Sequence, residues 1–346
     1  MAGHLPSVVE GISMDFSTSN SSNSSISTTI TTKDLCQLAS TYWNLGRWED
    51  AKTLELQVVE TQKRTHGAEH FSTLTSMANL ALAYNLLGRW KEAEELYEHV
   101  IETRKTKFGA DHPSTLSSMS NLAATYQSQG KWEESASLDR RVMETRKEKL
   151  GDDHALTLTS KGNLAVTYNL QGRWKDAEVL ELQVMETRME KLGPEHASTL
   201  SSMANLAVTY RKQGRLDSSE GLHAKVLETR KRTLGPNHMA TLISMNNLAN
   251  TYNHQEKWKE AEALFRYVLE FSKLEATHPH MLSCKHNLAH ALKGQGSTTQ
   301  AIALMQDCHK QRSSKLGLQH PNTILSLEAF VEWKLEALEF SGQNDV

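Results

Sequence analysis

The chain has sixteen histidines and three cysteines, the residues best equipped to ligate a metal or relay a proton, and their spacing decides what they are for. His70, His112, His154, His196 and His238 recur every 42 residues, followed by His278 after 40 and His320 after 42. Zinc needs its ligands within about 2 Å of one point, whereas a residue that recurs once per structural unit moves roughly 10 Å to the next helical layer each time. These seven histidines therefore read as structural, each in a loop ahead of a helix. Pro113, Pro279 and Pro321 follow three of them and suit a first helical turn. His286 and His290 stand one turn apart with His254 a unit earlier, but no fixed further ligand accompanies them, so no metal is expected. Cys36, Cys284 and Cys308 lack paired spacing and read as reduced thiols. No GxSxG, HExxH, GxGxxG or GxxxxGK[ST] pattern occurs, so the expectation is a non-enzymatic protein that needs no cofactor.

A second periodic set points to binding. Asn79, Asn121, Asn163, Asn205 and Asn247 repeat at 42, and Asn287 follows after 40. At 100° per residue Asn121 lies about 200° from Met119, away from the apolar stripe described below. An amide both donates and accepts, so a ladder of amides can pair with the main chain of an extended peptide whatever its sequence. The same groups can instead hydrogen-bond the neighbouring unit and hold the stack, and both readings stay open. One row beside the ladder reads Leu82, Ala124, Val166, Val208, Asn250 and His290. Another reads Asn85, Gln127, Asn169, Arg211, Asn253 and Lys293. With Lys212 and His254 these make the C-terminal half mildly cationic and the N-terminal half apolar and small, which suits an acidic peptide with a bulky apolar anchor. The competing reading is an ordinary solvated face.

Such a ladder needs helices in fixed register, and the chain supplies them. Leu116, Met119, Leu122, Ala123 and Tyr126 make a stripe of helical period that stops at Gly130, which defines a helix A. Trp132, Ser135, Leu138, Val142, Met143 and Leu150 make the next, ending at Gly151, which defines a helix B. With two residues between the stripes, the pair must form an antiparallel hairpin. Tyr42, Tyr84, Tyr126, Tyr168, Tyr210 and Tyr252 carry the same 42-residue period, the signature of a solenoid. Trp132 and its equivalents are assigned to the seam between the two helices. The count is seven helix pairs and one unpaired C-terminal helix, on which Ile324, Leu327, Phe330, Val331 and Leu335 form an apolar stripe opposite Glu328, Glu332, Lys334, Glu336 and Glu339. That helix is expected to be a solvating cap.

The repeat spanning Phe108 to Ala136 resembles the 42-residue tetratricopeptide units of kinesin light chains. It is also similar to the near-identical repeats at the C-termini of fungal and bacterial signalling NTPases of the NB-ARC and NACHT type. The resemblance runs over about residues 33 to 340. It implies an all-α, right-handed α-solenoid of seven tetratricopeptide helix pairs plus a C-terminal capping helix, with a concave groove lined by the A helices that grips extended peptides. The expected function is a protein- or peptide-binding scaffold or adaptor. Alternatives are a sensor or autoinhibitory module working with a separate NTPase, and a kinesin light chain-type cargo adaptor.

The rest of the composition agrees with a binding protein. Lys and Arg number 38 against 41 Asp and Glu, so no basic field points to nucleic acid. No apolar run of spanning length and no signal-peptide pattern occurs, so no membrane association is expected and the cytoplasm is the expected compartment. Residues 1–32 are rich in Ser and Thr and expected to be disordered. Residues 33–340 form the solenoid, and 341–346 a flexible tail.

Overall fold

The computed structural model describes residues 31–44, 47–272, 274, 276 and 278–343. The Ser/Thr-rich segment therefore lies almost wholly outside the described residues, as do the last three residues of the tail. Helix A elements are α1 (Thr32–Asn44), α3 (Phe71–Leu86), α5 (Pro113–Gln129), α7 (Ala155–Leu170), α9 (Ala197–Lys212), α11 (Met239–His254), α13 (Pro279–Gly294) and α15 (Pro321–Gln343). Helix B elements alternate with them: α2 (Trp48–His66), α4 (Trp90–Phe108), α6 (Trp132–Leu150), α8 (Trp174–Leu192), α10 (Leu216–Leu234), α12 (Trp258–Phe271) and α14 (Thr298–Leu316). Among the described residues there is no strand. The fold is an all-α solenoid, and its helices fall into two compact units, α1–α7 and α8–α15.

The boundaries follow from local chemistry. Each loop histidine is the N-cap of the next helix A. Its Nδ1 accepts the backbone N–H two residues on, at 3.2 Å for His112 and Ser114, 3.1 Å for His196 and Ser198, and 3.1 Å for His320 and Asn322. Each cap satisfies one of the donors that a helix start leaves without a partner. At the other end of α5, Gly130 adopts φ 78° and ψ 9°. The Lys131 N–H returns to the Tyr126 carbonyl at 2.9 Å, which closes the turn into α6. The equivalent position before α12 is Glu256, at φ 59° the one non-glycine residue with positive φ among those described.

In the α1–α7 unit the core runs through Leu74, Met77, Leu80, Tyr97, Val100, Leu116, Met119, Leu122 and Val142, with a second cluster of Ala39, Trp43, Ala51, Leu82 and Ala83. In the α8–α15 unit Leu242, Met245, Phe265, Val268, Leu288, Met305 and Trp333 form the main cluster, and Leu200, Met203 and Val226 another. Helix α12 spans 14 residues where the other described B helices span 19, and the unit that contains it is 40 residues long rather than 42.

Two expectations are corrected here. Trp132 is 41% exposed and Trp174 39%, so these rings lie at the margin of the seam. On α15 the apolar stripe faces outward. Ile324, Leu327 and Val331 are 39 to 43% exposed, Leu335 57% and Leu338 60%. The buried face is instead Asn322, Thr323, Ser326, Ala329 and Trp333. That side meets α14, and no helix B follows α15 among the described residues.

Candidate functional site

The amide ladder sits deeper than a solvated face. Asn121 is buried, 8% exposed, beside the buried hydroxyl of Tyr97 on α4. Asn79 and Asn163 in the α1–α7 unit, and Asn205, Asn247 and Asn287 in the α8–α15 unit, are all partly buried. Some of their backbone carbonyls also accept side-chain donors, one from a neighbouring A helix and one from within α5. That of Asn287 accepts the side-chain amide of Asn253 on α11 at 2.9 Å, and that of Asn121 accepts the Thr125 hydroxyl at 3.1 Å.

The row expected to be variable spans adjacent A helices. Gln127 donates to the Thr167 hydroxyl at 2.8 Å within the α1–α7 unit. In the α8–α15 unit Arg211 is buried, 7% exposed, and its Nη1 approaches the His254 Nε2 at 3.4 Å. His254 donates from Nδ1 to the Asn250 carbonyl at 2.8 Å, which leaves Nε2 as the acceptor facing the guanidinium. Burial lowers the Arg211 pKa to about 10. Burial first and the Arg211 charge second depress His254 below the ordinary imidazole range, and the same two causes lower Lys212. Lys293 reaches across to the Glu336 carboxylate on α15. The structure thus joins Arg211, His254 and Asn250 into one polar chain with Lys212 beside it, and leaves Lys293 engaged with the terminal helix.

The other two histidines singled out in the sequence divide, His290 being exposed. His286 is buried, and desolvation followed by the nearby Arg312 charge pushes it down to about 2. His290 meets the Trp333 ring edge-on at 4.9 Å. Among the described residues no three of His, Cys, Asp and Glu gather closely enough to hold a metal ion. Lys161, which replaces the Met of its neighbours, buries its stem and extends Nζ to Asp152 at 2.9 Å.

Three polar systems were missed in the sequence. Arg104, 2% exposed, donates to the Ser114 carbonyl at 2.8 Å, the Ser118 hydroxyl at 2.7 Å and the Thr75 hydroxyl at 3.0 Å, which ties α4 to both flanking A helices. Arg146, Arg188 and Arg230 repeat this 42 residues apart, each on the Ser hydroxyl fourteen residues ahead. The recurring Glu-Thr-Arg triplet was the available signal. The second system is a clamp: the Gln129 amide donates to the Trp90 carbonyl at 3.1 Å and to Glu94 at 2.8 Å, and Lys131 pairs with the same carboxylate. Gln213, Glu178 and Arg215 reproduce it in the other unit. The third is a buried helix B row in which Glu55, Tyr97, Asp139, Glu181, His223 and Phe265 occupy equivalent positions. Desolvation raises Glu55, Asp139 and Glu181 to about 7 and lowers His223 to about 3.

Helical hairpins in fixed register, joined by clamps that repeat with the scaffold period, define a helical repeat protein. The Tetratricopeptide repeat model matches residues 30–106, 80–148, 114–190 and 197–273, and a second model of that description matches 281–322. The chain belongs to the tetratricopeptide repeat family. A crystal structure from Podosopora anserina, described as kinesin light chain nearly identical TPR-like repeats, is 32% identical, with 58% of this chain and 95% of that one covered at a TM-score of 0.51. A tetratricopeptide repeat protein from Parabacteroides merdae is 14% identical over 88% of this chain and 98% of that one, with TM-score 0.56. NprR, solved in complex with its cognate peptide NprX, is 12% identical over 89% of this chain and 85% of that one, with TM-score 0.58. These last two likenesses are of fold alone. Among curated protein sequences nothing matches.

Proposed function

We propose that the chain is a non-enzymatic scaffold or adaptor that grips an extended segment of a protein partner along the A helices, and that it works in the cytoplasm. The observation that carries this reading is the Arg211, His254 and Asn250 chain on adjacent A helices, with Lys212 beside it. A guanidinium held in a low-dielectric setting attracts a carboxylate more strongly than one in water. That favours an acidic segment, its backbone paired with Asn205, Asn247 and Asn287 and its charge directed to Arg211 and Lys212. The fold shared with NprR, which was solved with a peptide, is in keeping with this use. Buried Cys284 and Cys308, each with its thiol directed at a backbone carbonyl, suit a reducing compartment.

The test is affinity capture with the full chain, identification of the bound protein, and rebinding of that protein to an Asn205→Ala/Asn247→Ala variant. Each neutral hydrogen bond contributes about 0.5–1.5 kcal/mol, so affinity should fall by roughly five- to a hundredfold with melting nearly unchanged. A variant that melts far lower yet binds normally when folded would assign both amides to the stack. The 32% identity to kinesin light chain repeats supports a second reading as a motor-cargo adaptor. Recovery of a kinesin heavy chain in the same capture would decide for it.

A further inference from the structure

The exposed stripe on α15 has no counterpart on the covered A helices. His112 and His320 hold the same position in their units, so Leu116, Met119 and Ala123 of α5 correspond to Ile324, Leu327 and Val331 of α15. The first three are 4%, 1% and 0% exposed with α6 packed against their helix, and the second three are 39%, 41% and 43% exposed. Leu335 and Leu338 extend the stripe by two further turns at 57% and 60%. The stripe is thus continuous in register with the seam that a helix B closes elsewhere. We propose that this face of α15 docks an amphipathic α-helix of a partner protein, one that carries Lys or Arg along an edge of its apolar stripe and takes the place that α6 takes on α5.

Charge selects the occupant. Helix α15 carries Glu328, Glu332, Glu336 and Glu339 against Lys334 alone. Glu336 is engaged by Lys293 and the Lys334 ammonium lies over the Phe330 ring, 5.5 Å from its centroid. Glu328 and Glu332 are exposed one turn apart on the same edge of the stripe, about 60° and 100° round the helix from Val331. A second copy would bring two acidic helices together, which like-charge repulsion opposes. The chain's own Leu5–Phe16 segment has Leu5, Val8, Val9, Ile12 and Phe16 at helical spacing, but its charges are Glu10 and Asp15, again acidic. A basic-edged helix satisfies both the apolar stripe and the carboxylates, the helix-in-groove mode of recognition.

The probe is a fluorescently labelled synthetic peptide of 19 residues, the length of α6, with Leu at helical spacing and Lys on the edges. A twin peptide has Glu for every Lys. With the full chain, anisotropy should show binding of the Lys peptide and at least about tenfold weaker binding of its twin. Leu327→Gln/Val331→Gln should weaken the Lys peptide by a similar factor with unchanged melting, since both side chains are exposed. Glu328→Lys/Glu332→Lys should invert the preference between the two peptides. Equal binding of both peptides, or binding indifferent to these variants, overturns the proposal. So does sedimentation showing a dimer that Leu327→Gln/Val331→Gln dissociates, which assigns the face to a second copy. Binding seen only after Val8→Asp/Ile12→Asp assigns it to the chain's own N-terminal segment and equally overturns the proposal.

Discussion

Thr167 donates its hydroxyl to the Asp139 carboxylate at 2.7 Å, inside a stack that leaves the carboxylate 2% exposed. Thr209 and Glu181 repeat the relation one unit later. Burial lifts both acids to about 7, so each holds its proton in the folded chain over a range where the unfolded chain has released it. Stability contributed by such a group is present below the unfolded pKa near 4 and is lost as pH rises through about 7. Asp139→Asn should therefore leave stability at pH 4 little changed and raise it at pH 8, on the order of 2 to 4 kcal/mol for a shift of this size. Urea unfolding at the two pH values measures the difference, and an equal effect at both would contradict the assignment.

The capping histidines carry the opposite sign. His278 and His320 are lowered to about 4, chiefly by burial, and a protonated Nδ1 cannot accept the backbone N–H that each cap binds. The unfolded chain takes up these protons first, so their stabilisation is full above about 6.5 and declines as pH falls toward 4. His278→Asn/His320→Asn keeps a side-chain acceptor at each N-cap without the titration and should flatten that decline. Melting followed from pH 7 to 4.5 shows whether it does.

Arg104 braces α4 against both α3 and α5. Arg104→Leu removes the bonds that the guanidinium makes to the Ser114 carbonyl and to the Thr75 and Ser118 hydroxyls, and should cost about 1.5 to 3 kcal/mol, the range for hydrogen bonds to a charged group. Arg64→Leu, on the exposed end of α2, should cost under about 0.5 kcal/mol. Similar midpoints for the two variants in denaturant would remove Arg104 from this role.

Glu256 occupies a left-handed turn filled at equivalent positions by Gly88, Gly130, Gly172, Gly214 and Gly296. A side chain there costs roughly 1 to 2 kcal/mol, part of which glycine returns as entropy of the unfolded chain. Glu256→Gly should thus stabilise by about 0.5 to 1 kcal/mol, read as a small rise in melting temperature. A fall would show that the turn is set by something other than backbone strain.

What the sequence reveals, and what it hides, divides along the period. The helix pairs, their glycine stops and the histidine loops repeat with it, and each lies where the spacing puts it. Trp132 shows the limit, because periodicity assigns an apolar ring to the seam but says nothing of how far the partner helix extends over it. The stripe on α15 shows another: a helical stripe marks a face able to be covered, and whether a helix follows to cover it is a tertiary fact. Arg104 and Asp139 were invisible for a different reason. A charge among charges on a helix B looks like solvent-facing surface until the serine and threonine partners, 14 and 28 residues ahead, are brought beside it.

Helix α12 ends at Phe271, and Ser272 stands where Arg104, Arg146, Arg188 and Arg230 stand in other units. Among the described residues the junction of α12 with α13 is held by Phe265, Val268, Cys284 and Leu288, with no guanidinium at the Ser272 position. In an array whose members touch only their neighbours, cooperativity is the product of successive nearest-neighbour couplings, and the weakest coupling sets where the array separates. This junction is such a point. The terminal segment α13–α15 can melt and re-form as a subglobal unit while α8–α12 stays folded, so its amides should exchange with solvent earlier than those of α9–α11.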